Sequence, residues 1–200
     1  MKKIIRTAVY GMAGFLLLAG ACQYRSHKLQ EGIAGRILRF HVIANSDTKD
    51  DQELKKKVRD QIGAYLGTEL SGADGLKECE QEVKKRLPKI EECAREAILA
   101  EGYDYPVKAM VKDCGFPEKT YGGYTFPGGT YRALNVVIGE GAGENWWCVM
   151  YPNLCFANSV YEVVDEDAKK ELKAVLTEEE YAEIVAEGKI KVGFKYLKFW

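Results

Sequence analysis

Six cysteines and two histidines are the residues of this 200-residue chain whose types could carry nucleophilic or metal chemistry. Cys148 and Cys155 stand seven positions apart in "NWWCVMYPNLCF", on either side of Pro152 and Asn153. A turn there would bring the two β-carbons within bonding range. Closing so short a loop would stabilise by roughly 2.5 kcal/mol, less any strain. A pair of buried thiols, or a nucleophile or metal ligand, are the competing readings. Cys79 and Cys93 are fourteen residues apart in helical sequence. On one continuous helix they would lie roughly 21 Å apart, so they can pair only if the chain folds back near Pro88. At least one is expected to stay a thiol or to pair elsewhere, for example with Cys114.

A cysteine hydrolase needs its thiol beside a base that a third group orients. His41 is the only histidine outside the N-terminal region, where His27 lies. Asn45 or Asp47 could orient it, so a cysteine-dependent envelope peptide hydrolase using Cys148 and His41 is the catalytic alternative. A zinc site wants a close pair among three or four ligands, and His41 has no histidine partner at such a spacing. The chain contains no HExxH, no GxSxG elbow and no dinucleotide or P-loop fingerprint. "IGEGAG" is followed by tryptophans and not by a helix, so it is no phosphate cradle. The expectation is no catalytic residue, no metal and no cofactor.

The elements that would position these residues can be read from spacing. "RILRFHVIAN" (36–45) is a β-favouring run. Thr48 and Asp51 then have the spacing of a capping box, and Leu54, Val58, Ile62, Tyr65 and Leu66 recur at helical period. A second helical stretch runs from about Leu76 to Ala100, with Pro88 kinking or dividing it. "YPVKAMVKDC", "TYRALNVVIGEG" and "NWWCVMY" read as strands. "GFPEKTYGGYTFPGG" between the first two reads as a turn-rich aromatic loop. Thr177 and Glu180 start another helix through Tyr181, Ile184 and Val185, and an aromatic tail follows (Phe194, Tyr196, Phe199, Trp200). This order predicts a single α/β or α+β domain, with a mixed or antiparallel sheet packed against two to three helices. The later strands are expected to be joined by hairpins.

The N-terminus has cations at Lys2, Lys3 and Arg6, then an uncharged apolar run to Ala21. That is the pattern of an export signal or an N-terminal membrane anchor over residues 1–22. Cys22 follows "LAGA", close to a lipoprotein box but with Ala19 where a leucine normally stands, so lipidation at Cys22 is a further alternative. Residues 23–35 read as a tether and 36–200 as the exported domain. Without the first 22 residues, 26 basic side chains face 30 acidic ones. That mild acidity argues against nucleic acid as a partner. Trp146 and Trp147 are adjacent, so in a strand they point to opposite faces: one can fill a core while the other is free for a partner.

Two blocks together carry a resemblance. "LRFHVIANSD" (38–47), followed by "DQELKKKVRDQI", and "FPEKTYGGYTFPGGTYRALNVVIGEGAGENWWCVMYPNLCF" (116–156) resemble the stage II sporulation protein R family. The resemblance implies a protein exported from the forespore into the space between forespore and mother-cell membranes. There it would trigger a membrane-embedded aspartic protease of the mother cell that processes pro-sigma-E. The positions matching the family's pattern are His41, Val42, Ile43, Ala44, Asn45, Ser46, Asp47, Tyr121, Gly122, Asn145, Trp146, Trp147, Cys148, Pro152, Leu154 and Cys155. The resemblance assigns them to fold integrity and partner contact together. The family commonly has two prolines between the cysteines, where this chain has Pro152 and Asn153.

Overall fold

The computed structural model describes residues 2–70, 72, 75–121, 123–154 and 166–185. The polar stretch read as a tether is helical: α1 runs from Lys2 to Ala34 without a break. Strand β1 (Leu38–Ile43) follows, then α2 (Lys49–Glu69), α3 (Leu76–Lys85) and α4 (Leu87–Ala100). Thr48 caps α2 through its side chain, which accepts from the Asp51 amide. Pro88 divides the second helical stretch and lies in the first turn of α4, where its missing N–H would have been unpaired in any case.

The strands after α4 are β2 (Val107–Phe116), β3 (Lys119–Tyr121), β4 (Tyr124–Phe126), β5 (Gly129–Ile138) and β6 (Asn145–Tyr151). The stretch expected as a turn-rich aromatic loop is partly a small hairpin, β3 against β4. Helices α5 (Glu166–Val175) and α6 (Glu178–Val185) follow. In α6 the capping box forms in both directions, between Thr177 N and Glu180 Oε2 and between Glu180 N and Thr177 Oγ1. The α5 helix had no counterpart in the sequence reading. The aromatic tail beyond Val185 lies outside the described residues.

The main sheet has the order β2-β5-β1-β6. The expectation that β5 and β6 form a hairpin across the glycine turn is not met. β1 inserts between them, parallel to β5 and antiparallel to β6. The result is a mixed sheet in a single α/β domain. One face carries Leu38, Phe40, Val42, Leu134, Val136, Ile138 and Met150, and packs under α2, α3 and α4. The other carries Ile37, Phe116, Tyr131, Ala133 and Val149. It packs against Ile33 of α1, the β3–β4 hairpin, Leu172 of α5, Ile184 of α6 and Leu176 between those two helices. A strand buried on both faces explains why "ILRFHVI" lacks a clean polar alternation.

Candidate functional site

The "ANSD" stretch leaves β1 and clasps the loop between β5 and β6. Asn45 Nδ2 donates to Asp51 Oδ2 at 2.9 Å, and the Ser46 hydroxyl donates to the same oxygen at 2.5 Å. Asn45 Oδ1 accepts from the Glu140 amide at 3.0 Å, and Asp47 Oδ1 from the Glu144 amide at 2.6 Å. Ala142 N and Gly143 N donate to the carbonyls of Asn45 and Ala44. Lys55, only 6% exposed, donates to the Glu144 carbonyl at 2.7 Å. Burial pulls against ionisation of Asp51, but hydrogen bonds from Ser46, Asn45, Tyr105 and Thr48 outweigh it and hold the carboxyl below its ordinary range.

Two glycines of "IGEGAG" are required by this clasp. Gly139 has φ +58°, and a β-carbon there would collide with Asn45 Oδ1. At Gly143 it would collide with the Ser46 carbonyl. The glycine loop therefore serves close backbone approach.

The second cluster is centred on Arg39, which is fully buried in β1. Its guanidinium lies 4.4 Å from the Phe116 ring centroid and 5.0 Å from that of Tyr131, with Phe126 and Tyr121 at 5.5 and 5.8 Å. Nε donates to the Cys148 carbonyl at 3.0 Å and Nη2 to the Tyr121 hydroxyl at 3.1 Å. Burial shifts the guanidinium down from its ordinary value, and the two tyrosines oppose that shift. No carboxylate among the described residues pairs with Arg39; cation–π attraction and two hydrogen bonds take that place. Arg39 ties the β3–β4 hairpin to the sheet through Tyr121 and Phe126.

His41 lies two residues along on the same face, 4% exposed. It stacks on Trp147, with centroids 4.9 Å apart and 12° between planes, and sits 5.3 Å from Phe116. Neither ring nitrogen has a hydrogen-bond partner among the described residues. Burial, with Lys112 and Arg39 nearby, pushes its pKa down to about 4. The imidazole is neutral at pH 7.

The adjacent tryptophans do face opposite ways. Trp147 joins His41 and Phe116, with Trp147 and Phe116 centroids 4.6 Å apart. Trp146 packs edge-on to Phe40 at 5.4 Å on the helical face, with the Arg59 guanidinium 5.1 Å from its ring. Both are half-buried, so each packs against a cluster and neither is wholly free.

Cys148 pairs in register with Phe40, and its neighbours in phase, Trp146 and Met150, belong to the helical-face cluster. His41 pairs with Trp147 on the opposite face. The sheet thus separates the two groups that a Cys148–His41 hydrolase would need in contact. Cys22, Cys79, Cys93 and Cys114 are free thiols, and Cys79 is pushed up to about 11 by burial. Cys79 and Cys93 do not pair, and neither joins Cys114. Cys148 is buried and is not a free thiol.

Of the remaining family positions, Pro152 is buried and follows a cis Tyr151–Pro152 peptide, and Asn145 lies opposite Ile43 in register. Gly122 and Cys155 lie outside the described residues. Among the described residues no His, Cys, Asp or Glu group is arranged to hold a metal ion. Nor is any described helix long and apolar enough to cross a membrane.

The sequence reading did not single out Arg39, Asp51 as clasp acceptor, or Lys55. The available signal for Arg39 was its place in an otherwise apolar, doubly buried strand.

These features define a single mixed α/β domain, built on a two-loop clasp and a cation-centred aromatic layer made largely of the residues the two sequence blocks share. The profile of the family described as stage II sporulation protein R matches residues 34–161. A relative named stage II sporulation protein R, from Bacillus subtilis (strain 168), is 32% identical over 195 residues, covering 93% of this chain and 86% of the relative. The chain belongs to the stage II sporulation protein R family. No solved structure matches it.

Proposed function

We propose that this sporulation protein is an exported intercellular signal. It leaves the forespore and triggers a membrane-embedded aspartic protease of the mother cell, which then processes pro-sigma-E. The observation that carries this reading is family membership over nearly the whole chain. The geometry agrees with it: the family's recurrent side chains brace two loops and an aromatic layer, as a rigid binding platform requires. A ligand shifts a receptor's equilibrium only through different affinities for its two states, and a braced surface meets one of them at little entropic cost.

Export through residues 1–22 belongs to the same proposal, with cleavage, retention as an anchor and lipidation at Cys22 as alternatives. So does a Cys148–Cys155 staple closing the turn after β6, suited to a compartment that permits disulfides.

The test is co-expression of this chain with the protease and its pro-sigma substrate in non-sporulating cells, following substrate size on a gel. Processing should require both the protease's catalytic aspartate and export of this chain. Replacing Cys148 by Ser should lower processing only as far as it lowers folded protein. A complete loss in fully folded protein would favour thiol chemistry instead. No processing with a verified cognate pair would remove the signalling reading.

A further inference from the structure

The two faces of the sheet differ in charge. Arg39 from β1, and Lys108 and Lys112 from β2, lie with the neutral His41 on the face opposite α2–α4. Among the described residues of the four strands, that face carries no Asp or Glu. Buried polar atoms without a hydrogen-bond partner among the described residues also collect there: Arg39 Nη1, both His41 nitrogens, Asn135 Oδ1 and Asn145 Oδ1. Lys108 and Lys112 are exposed, and neither has an ion-pair partner among the described residues.

β2 is also an edge of the sheet. The phase of its hydrogen bonds is fixed at two points. Gly139 N donates to the Pro106 carbonyl, and the Ala109 amide donates away from β5, to Glu91 Oε1 of α4 at 2.8 Å. Even-numbered residues therefore bond to β5, and odd-numbered ones turn their N–H and C=O outward. Glu91 closes this edge at Ala109. Beyond it, the outward backbone groups of Val111, Asp113 and Gly115 have no partner among the described residues. No proline or bulge interrupts the strand there, and it is in register with β5 throughout.

We propose that the β2 edge from Val111 to Gly115 accepts an added strand from an extended, acidic polypeptide segment of another protein, attracted by Lys108 and Lys112. Backbone pairing supplies the affinity, and the two lysines select for charge on a face whose described strand residues include no Asp or Glu; Asp113 turns to the opposite face, toward Arg132. Edge lysines ordinarily deter pairing between like strands. Here they deter a second copy of β2 and favour an acidic segment. As the place where a receptor is contacted, the edge rests on the signalling reading above; as a peptide site it stands alone.

The test uses the purified full chain and labelled peptides of about nine residues. One alternates valine with aspartate, one carries lysine for aspartate, and one is the acidic peptide N-methylated on alternate amides. The acidic peptide should bind, at least about tenfold more weakly at high salt and in a Lys108→Glu/Lys112→Glu variant. N-methylation should abolish binding, and hydrogen exchange should slow at the Val111, Asp113 and Gly115 amides. Should the charge reversal unfold the protein, Lys108→Gln/Lys112→Gln provides the same comparison.

No binding of the acidic peptide, equal binding of the lysine peptide, or protection confined to other strands overturns the proposal. Peptide binding as described, with normal pro-sigma processing by the lysine variant, would keep the edge site and remove the receptor from it. Absent peptide binding leaves the signalling reading intact.

Discussion

The imidazole of His41 lies flat on the indole of Trp147, 4.9 Å away across β1 and β6, with neither ring nitrogen hydrogen-bonded among the described residues. The unfolded chain takes up this proton near pH 6.5, whereas the folded one resists it down to about 4. The stabilisation is therefore present above pH 6.5 and is lost as pH falls from 6.5 to 4. The full loss is roughly 3 kcal/mol. Urea unfolding across that window should show the decline, and His41→Phe should flatten it while keeping the stack.

The clasp yields a second expectation. Asn45→Ala removes the bond to Asp51 and the acceptor for the Glu140 amide. Stability should fall by about 2 kcal/mol. Hydrogen exchange at Glu140 should accelerate, while β5 amides remain protected. Gly143→Ala, which drives a β-carbon into the Ser46 carbonyl, should also lower the Tm.

Arg39 is a fully buried cation without a carboxylate partner among the described residues. An apolar side chain of similar length should be tolerated better than a truncated one. Arg39→Met should fall within about 1–2 kcal/mol of the native protein, whereas Arg39→Ala opens a cavity under four rings and should cost about 3 kcal/mol or more. Denaturant midpoints of the two variants decide this.

The end of α1 is part of the domain. Ile33 is fully buried, Arg25 pairs with Glu179 at 2.6 Å, and Gln30 Nε2 donates to the Thr130 carbonyl at 3.1 Å. A chain beginning at residue 36 should therefore be less stable than one beginning at residue 23. Loss of the Ile33 side chain alone is worth about 2–4 kcal/mol. Thermal melts of the two truncated proteins, and of Ile33→Ala in the longer one, test the assignment.

Sequence by itself determined what depends on neighbours in the chain. Thr48 with Asp51 and Thr177 with Glu180 announce helix starts because capping acts over three residues. Pro88 must kink or divide a helix, and adjacent Trp146 and Trp147 must face apart in any strand. Tertiary structure alone decided that β1 lies between β5 and β6, because strand pairing joins residues about a hundred positions apart and no local preference encodes it. That insertion puts Cys148 and His41 on opposite faces, buries Arg39 among rings contributed by β2–β5, and draws the glycine loop under Asn45. The polar stretch at 23–34 is helical for the same reason: with Ile33 buried against the sheet and an ion pair from Arg25 to Glu179 of α6, packing supplies what its composition did not signal.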